Sequence, residues 1–166
     1  MPRPSLLPRP SLLPRAVTCG VLVTDGRLLL LGHATRSPRW DIPKGVAQEG
    51  ERFIDAARRE LREETGLEPA AAELTELGRF RYLRTKDLVL FAWMPERLPD
   101  PGSLHCSSTF IAGGRQLPEF DRFAILPWDE AMARVGASLA RLLSEAGAVA
   151  TLRNRAEQEP DQEQPP

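Results

Sequence analysis

Three glutamates fall within the short segment RELREETGL, residues 59–67. Glu60 lies three positions before Glu63 and four before Glu64, so all three share one side of an α-helix. Like charges at this spacing repel by roughly 0.2–0.5 kcal/mol per pair on an isolated helix. A hard divalent cation such as Mg²⁺ takes oxygen ligands and would relieve that repulsion. The spacing is therefore compatible with a metal site, and equally with a solvated face on which arginines pair with glutamates.

The helix that carries these glutamates is predicted to begin at Gly50-Glu51 and to end at Thr65. Gly66 is suited to the left-handed conformation that commonly follows a helix. An apolar stripe at helical spacing consists of Ile54, Ala57 and Leu61. Glu64 lies nearest the edge of this stripe, where partial burial strengthens repulsion between carboxylates.

The residues around the helix complete a longer pattern. Residues 45–67 match G-x5-E-x7-R-E-U-x-E-E-x-G-U without a departure, where U is a bulky apolar residue. This segment resembles the Nudix box, the signature of the Nudix hydrolases, and the preceding WDIPKG resembles the lead-in of many members. The resemblance implies an α/β fold: a Nudix-type α/β/α sandwich with a mixed sheet and a loop-helix catalytic motif.

The resemblance also implies a metal centre. In the family the box glutamates hold Mg²⁺ or Mn²⁺, which here assigns the metal to Glu60, Glu63 and Glu64, with the Gly45 carbonyl as a further ligand. Arg59 would hold and orient a glutamate through a charge-assisted hydrogen bond. The implied reaction is attack of an activated water on a diphosphate linkage.

Two further acids have alternative interpretations. A box carboxylate such as Glu60 serves as the base in some family members, and a later glutamate does so in others. Glu119, in LPEFDRF, is the candidate for that later acid, although an ordinary loop acid fits the sequence equally well. Glu51 either braces the loop or is simply an acid in the first turn of the helix.

Several residues near the box are candidates for substrate binding. Lys44 would meet a phosphate as a point charge, and Arg39 is a candidate of the same kind. Tyr82 lies close to the position at which diadenosine polyphosphate hydrolases carry a tyrosine. Trp40 either stacks on a base or packs against the protein. These features favour a small nucleotide, a (di)nucleoside polyphosphate, as the substrate.

Two other functions are compatible with the sequence. The first is a pyrophosphohydrolase acting on RNA 5′ ends, but the net charge of −1 and the lack of a basic stripe make nucleic acid an unexpected partner. The second is a Nudix-fold module that binds or senses a nucleotide without cleaving it. Such modules usually lose box acids, and this chain has all of them.

Strands are expected on both sides of the box. They are predicted at 17–24, 27–32, 77–83, 88–94, 104–111 and 123–126, with a final helix after Pro127. Asp25-Gly26 is typical of a hairpin turn between the first two.

The length and composition of the chain indicate the extent of the folded domain. The 166 residues, 42% of them apolar, predict one folded domain at 15–155. Residues 1–14 contain a proline-rich PRPSLL repeat and are predicted to be a disordered arm, which could also serve as a proline-motif ligand; residues 156–166 are predicted to be a disordered polar tail. Cys19 and Cys106 lack metal-ligand spacing, so we expect buried thiols and a reducing, cytoplasmic location, with no membrane association. The oligomeric state is not indicated.

Overall fold

The computed structural model describes residues 14–145 and 147–158. Its strands are β1 (Ala16–Val23), β2 (Leu28–Ala34), β3 (Trp40–Asp41), β4 (Lys44–Val46), β5 (Leu74–Leu83), β6 (Lys86–Trp93), β7 (Thr109–Ala112), β8 (Arg115–Pro118) and β9 (Phe120–Pro127). The helices are α1 (Phe53–Thr65), α2 (Trp128–Arg134), α3 (Ala137–Glu145) and α4 (Ala148–Gln158), with short 3₁₀ turns at Ala71–Glu73 and Pro101–Ser103.

Two sheets form the centre of the domain. The first has the order β4-β1-β6-β5, in which β1 and β6 are parallel and the other neighbours are antiparallel. The second is antiparallel with the order β3-β2-β9, and β7 and β8 form a separate hairpin. The predicted mixed sheet is therefore confirmed.

The first sheet lies between two helical layers. Successive strand residues point to opposite faces, so β1 buries Val21 against α1 and Leu22 against the C-terminal helices. Ala57 and Leu61 of α1 are fully buried on the first face. The central strands are consequently apolar on both faces, and the predicted α/β/α sandwich is confirmed. No helix within the described ranges is long and apolar enough to span a membrane.

The turn at Asp25-Gly26 forms, but the predicted hairpin is wrong. Asp25 accepts hydrogen bonds from the backbone N–H groups of Arg27 and Leu28, and Gly26 has φ 89°. β1 then pairs with β4 and β6, whereas β2 pairs with β3 and β9 in the other sheet. A bridge at Thr24 and Leu29 joins the two strands. The chain therefore passes from the first sheet to the second at this turn.

Helix boundaries also differ from the prediction. α1 begins at Phe53, after an extended Arg52, and ends as predicted at Thr65, followed by Gly66 with φ 80°. The predicted single C-terminal helix is three helices. Its first break is at Val135, which is extended and bridges Trp40, so the backbone there bonds to β3 instead of continuing the helix. α4 continues to Gln158, beyond the predicted boundary at residue 155.

The predicted strand at 104–111 is shorter than expected. Only its last residues are in β7, because the backbone N–H groups of His105, Ser107 and Ser108 are hydrogen-bonded to the end of α1 instead of to a strand. The strand predicted at 123–126 is longer and begins at Phe120. The predictions for the proline-rich arm up to residue 13 and for the tail from residue 159 lie outside the described residues.

A carboxylate at the start of β6 joins three neighbouring strands. Arg15, just before β1, donates from Nε to Asp87 Oδ1 at 2.5 Å, and Arg79 of β5 donates from Nε to Oδ2 at 2.9 Å. The hydrogen bond from Arg15, reinforced by that from Arg79, holds the pKa of Asp87 below its usual range. This cluster therefore fixes the beginning of β1 against β5 and β6.

Replacing Asp87 by Asn should lower the free energy of unfolding by about 1–3 kcal/mol at neutral pH, since both arginines lose a charged acceptor. Because the folded-state pKa of Asp87 is depressed, its contribution is present above the ordinary value of 3.8 and is lost as pH falls through the folded value. In urea unfolding, the gap between wild type and variant should shrink below about pH 4. Glu76→Gln removes an exposed acid of β5 and is the control; an equal loss in both variants would contradict this role.

Candidate active site

The predicted metal-binding residues meet where α1 packs against the edge strand β4. Gly45 of β4 pairs with Cys19 of β1 and lies directly against the carboxyl group of Glu60. A Cβ atom at position 45 would overlap the carboxyl carbon and both oxygens of Glu60. Any other residue would thus push this carboxylate away from the strand, which explains on steric grounds why the motif has glycine at this position.

Arg59 connects the loop before α1 to the helix. Its Nε and Nη2 donate to the two carboxylate oxygens of Glu51 at 2.8 and 3.0 Å, and Nη2 also donates to the Val46 carbonyl at 3.2 Å. Glu51 in turn accepts from the backbone N–H of Gln48 at 2.8 Å. The hydrogen bond from Arg59 lowers the pKa of Glu51. Of the two interpretations of Glu51, this geometry favours bracing of the loop.

The same guanidinium also reaches the box acids. Nη1 of Arg59 donates to Glu60 Oε1 at 2.6 Å and lies 3.5 Å from Glu63 Oε2. Burial raises the pKa of Glu60, and the opposing effect of Arg59 does not outweigh it. Glu63 is more exposed, with 36% of its side chain accessible. Arg59 therefore sets the orientation of Glu60 most firmly.

Glu64 is the most deeply buried acid of the box. One of its oxygens accepts a hydrogen bond from the backbone N–H of Lys44 at 2.9 Å. The Glu119 carboxyl lies within hydrogen-bonding reach of it, from the junction of β8 and β9. Burial, together with Glu119, raises the pKa of Glu64 to about 9. Glu119 also contributes to the raised pKa of Glu60, so carboxyls from two distant segments are near enough to influence one another's charge.

Backbone hydrogen bonds bring Glu119 to this place. The Glu119 N–H donates to the Ser108 carbonyl at 2.9 Å, and its own carbonyl accepts from the Thr35 N–H at 3.0 Å. Ser107 and Ser108 donate their N–H groups to the Glu63 carbonyl at 2.7 and 3.0 Å. Both serines therefore position the end of α1 beside Glu119. Such backbone contacts leave no signal in residue type.

The donor set suits a hard divalent cation. Within the described parts of the chain, no group of three or more His, Cys, Asp or Glu side chains is arranged around one point as metal ligands. Glu60 is instead bonded to Arg59, and Glu64 lies against Glu119. The available donors are nevertheless all carboxylate and backbone oxygens, which Mg²⁺ and Mn²⁺ prefer. Glu60 and Glu64 are both buried, and a cation would offset the cost of their charges.

The predicted phosphate-binding side chains form a second group. Lys44 Nζ donates to Asp41 Oδ2 at 2.5 Å and lies 5.9 Å from the ring centroid of Tyr82. Burial lowers the pKa of Lys44, but Asp41, Tyr82 and Glu64 together outweigh burial and raise it, so the ammonium stays charged. Arg39 is exposed and near enough to act on the pKa of Tyr82. Sequence reasoning missed Asp41, because an i, i+3 spacing indicates a contact only in a helix and this segment joins two strands.

Lys44 contacts both groups of residues, the acids through its backbone and the phosphate-binding group through its side chain. Consecutive strand residues point to opposite faces, so its side chain leaves β4 on the face away from Gly45. Its backbone N–H meets Glu64, while its ammonium meets Asp41 and Tyr82. The acids and the cations thus lie on opposite sides of the same edge strand.

Trp40 is enclosed by protein side chains. Its ring lies 5.1 Å from the His33 ring in an edge-on arrangement, and Arg122 and Arg134 lie 5.4 and 5.8 Å from its centroid. Of the two interpretations of Trp40, this arrangement favours packing over stacking on a base.

Known proteins resemble this chain in sequence. A 17.7 kDa protein of the e-segB intergenic region of Enterobacteria phage T4 is 36% identical over 135 residues, which are 75% of this chain and 89% of that protein. An RNA pyrophosphohydrolase of Bartonella tribocorum is 54% identical over 43 residues, a quarter of each chain. One from Legionella pneumophila is 30% identical over 96 residues, and the match spans 48% of its length.

Solved structures share the fold. The NUDIX domain of Shewanella oneidensis NrtR, complexed with ADP ribose, has a TM-score of 0.58 at 14% identity and covers 82% of this chain and 88% of its own. A C. elegans Ap4A hydrolase has a TM-score of 0.55 at 20% identity, over 81% of this chain and 98% of its own. The model of the NUDIX domain matches residues 12–143. The chain therefore belongs to the NUDIX family.

Proposed function

We propose that this protein is a metal-dependent hydrolase of a diphosphate linkage in a nucleoside diphosphate derivative, with a preference for a (di)nucleoside polyphosphate. The observation that carries the proposal is the position of the box acids, with Glu60 against Gly45 and the buried Glu64 beside Glu119. Further support comes from the names of similar proteins, which include RNA pyrophosphohydrolase and Ap4A hydrolase.

The metal in this proposal is Mg²⁺ or Mn²⁺. Glu60, Glu63 and Glu64 would hold it, with the Gly45 carbonyl as a further ligand. When bound, such a cation lowers the pKa of a water and neutralises phosphate oxygens. A structural neighbour from Francisella tularensis was solved with AMP and a Mn ion.

The protein's own side chains have separate tasks in this proposal. Arg59 fixes the Glu60 carboxylate against β4, so this oxygen donor is oriented before the substrate arrives. Glu119 accepts the proton of the attacking water at its carboxylate, and Glu60 is the alternative base. Lys44 and Arg39 bind phosphate oxygens that do not react, while Tyr82 forms the wall beside them.

The most direct test is a panel of substrates assayed with Mg²⁺ or Mn²⁺ and with EDTA. The panel contains diadenosine tetraphosphate, a nucleoside triphosphate, ADP-ribose and RNA with a 5′-triphosphate. We expect turnover only with metal, and the highest kcat/KM on diadenosine tetraphosphate. Nucleotide binding without turnover on any substrate would instead support a binding or sensing module.

The role of the buried acid is tested by Glu64→Gln with Glu51→Gln as its counterpart. Glu64→Gln keeps an acceptor for the Lys44 N–H and replaces a carboxyl whose raised pKa keeps it largely protonated near neutral pH, so the metal-free protein should hold its stability. Stabilisation by added Mg²⁺ should disappear and turnover should fall steeply. Glu51→Gln should lower stability, because Arg59 loses a charged acceptor, but should keep the Mg²⁺ response. Thermal melts with and without Mg²⁺, together with a rate assay, separate the two; intact turnover in both Glu63→Gln and Glu64→Gln would refute the metal-site assignment.

The close approach of Gly45 to Glu60 gives a steric prediction. Gly45→Ala should reduce turnover, because the added methyl group occupies the place of the Glu60 carboxylate, whereas the loss of stability should be small, because this carboxylate is the end of a flexible side chain that can rotate away. Gly136→Ala is the control, since no atom lies within 4 Å of a Cβ there. Equal turnover in the two variants would show that the position of the Glu60 carboxylate against β4 is not needed.

A further inference from the structure

Four arginines surround an open depression of about 460 Å³ at the end of the first sheet where β5 turns into β6. We call it the arginine pocket; it is lined by Arg15, Arg81, Tyr82, Leu83, Arg84, Ser138 and Arg141. No acidic side chain is among these residues. The pocket therefore presents positive charge and one aromatic ring to solvent.

Two of the four arginines form no ion pair with the described residues, although Arg81 lies opposite Asp87 in the pairing of β5 and β6. Arg15 is bound to Asp87 and to three backbone carbonyls. Arg141 lies 3.5 Å from Glu145, but both side chains are more than half exposed, so this pair is weak. Arg81 and Arg84 are exposed and form no ion pair with the part of the chain that the structure describes. These two guanidinium groups are therefore available to an external anion.

The arginine pocket adjoins the predicted phosphate-binding residues at Tyr82. Tyr82 lines the pocket, and its ring lies 5.9 Å from Lys44 Nζ. Lys44 in turn donates its backbone N–H to Glu64. An extended anion that meets Lys44 can therefore continue past Tyr82 to Arg81 and Arg84.

We propose that the arginine pocket is a phosphate subsite, which binds phosphate groups of the substrate beyond the diphosphate that is cleaved. Guanidinium groups match phosphate oxygens in geometry as well as charge. The ligand class is a run of phosphates, supplied either by the distal part of a nucleoside polyphosphate or by the backbone of an oligonucleotide, whose bases could also stack on Tyr82. The link to cleavage rests on the proposed function, whereas the binding itself does not.

This subsite changes the expectation about nucleic acid. The net charge is −1, and the sequence shows no basic stripe. One arginine precedes β1, one is near the end of β5, one is in the turn after β5, and one is in α3. The fold therefore brings together positive residues that are far apart in the sequence.

The test measures binding in EDTA, where hydrolysis is not needed. The probes are inorganic tripolyphosphate, by calorimetry, and a short single-stranded RNA with a 5′-hydroxyl and a 3′-fluorophore, by anisotropy. Arg81→Ala/Arg84→Ala is compared with Arg27→Ala/Arg97→Ala, which removes two exposed arginines from the other end of the same sheet. Melting temperatures verify that both double variants are folded.

We expect the pocket variant to bind about ten-fold or more weakly, while the control binds like wild type. For RNA, the slope of log affinity against log salt should fall by about 1.4, because two phosphate contacts are lost. Loss confined to RNA identifies an oligonucleotide as the source of the phosphates, and loss confined to tripolyphosphate identifies a polyphosphate. Equal weakening in both double variants, or no binding of either probe by wild type, would overturn the proposal. Failure of the proposed function would appear separately, as no turnover on the substrate panel.

Discussion

The absence of a side chain at residue 45 is the constraint on which the candidate site depends. It allows the Glu60 carboxyl to lie directly against β4, and this contact places the neighbouring turn of α1. Glu64 then meets the Lys44 N–H of the same strand. Arg59 closes the arrangement by bonding to both the loop and the helix. The absence of a Cβ atom at residue 45 thus allows Glu60 and Glu64 to lie close to the backbone of β4.

Burial gives this arrangement its chemical character. Glu60 and Glu64 are carboxylic acids whose pKa values are raised because water is largely excluded from them. Among the described residues, the groups that donate hydrogen bonds to these two acids are the Arg59 guanidinium and the Lys44 backbone N–H. The site is therefore electrostatically incomplete on its own and favours a cationic component, which is consistent with the proposed use of a divalent metal.

The sequence predicted the local features well and the long-range ones poorly. The end of α1 at Gly66 followed from residue type alone, because glycine adopts a positive φ with little strain. The pairing of β1 and β2 did not, since a tight turn is compatible with a hairpin and with a change of sheet. The contact of Glu119 with Glu64 depends on backbone bonds between segments far apart in sequence. The arginine pocket could not be predicted for a similar reason.

The hairpin of β7 and β8 has a closed base and an open tip. The Ser108 carbonyl and the Glu119 N–H join its two ends, while Gly113 and Gly114 turn at an exposed tip beside Ile111, which is 78% accessible. The position of Glu119 is thus decoupled from the length of the hairpin. Residues could be inserted at or deleted from this tip without displacing the acid, because the base bond and not the tip fixes its place. The hairpin is accordingly a segment in which related proteins can diverge in length while Glu119 keeps its position beside Glu64.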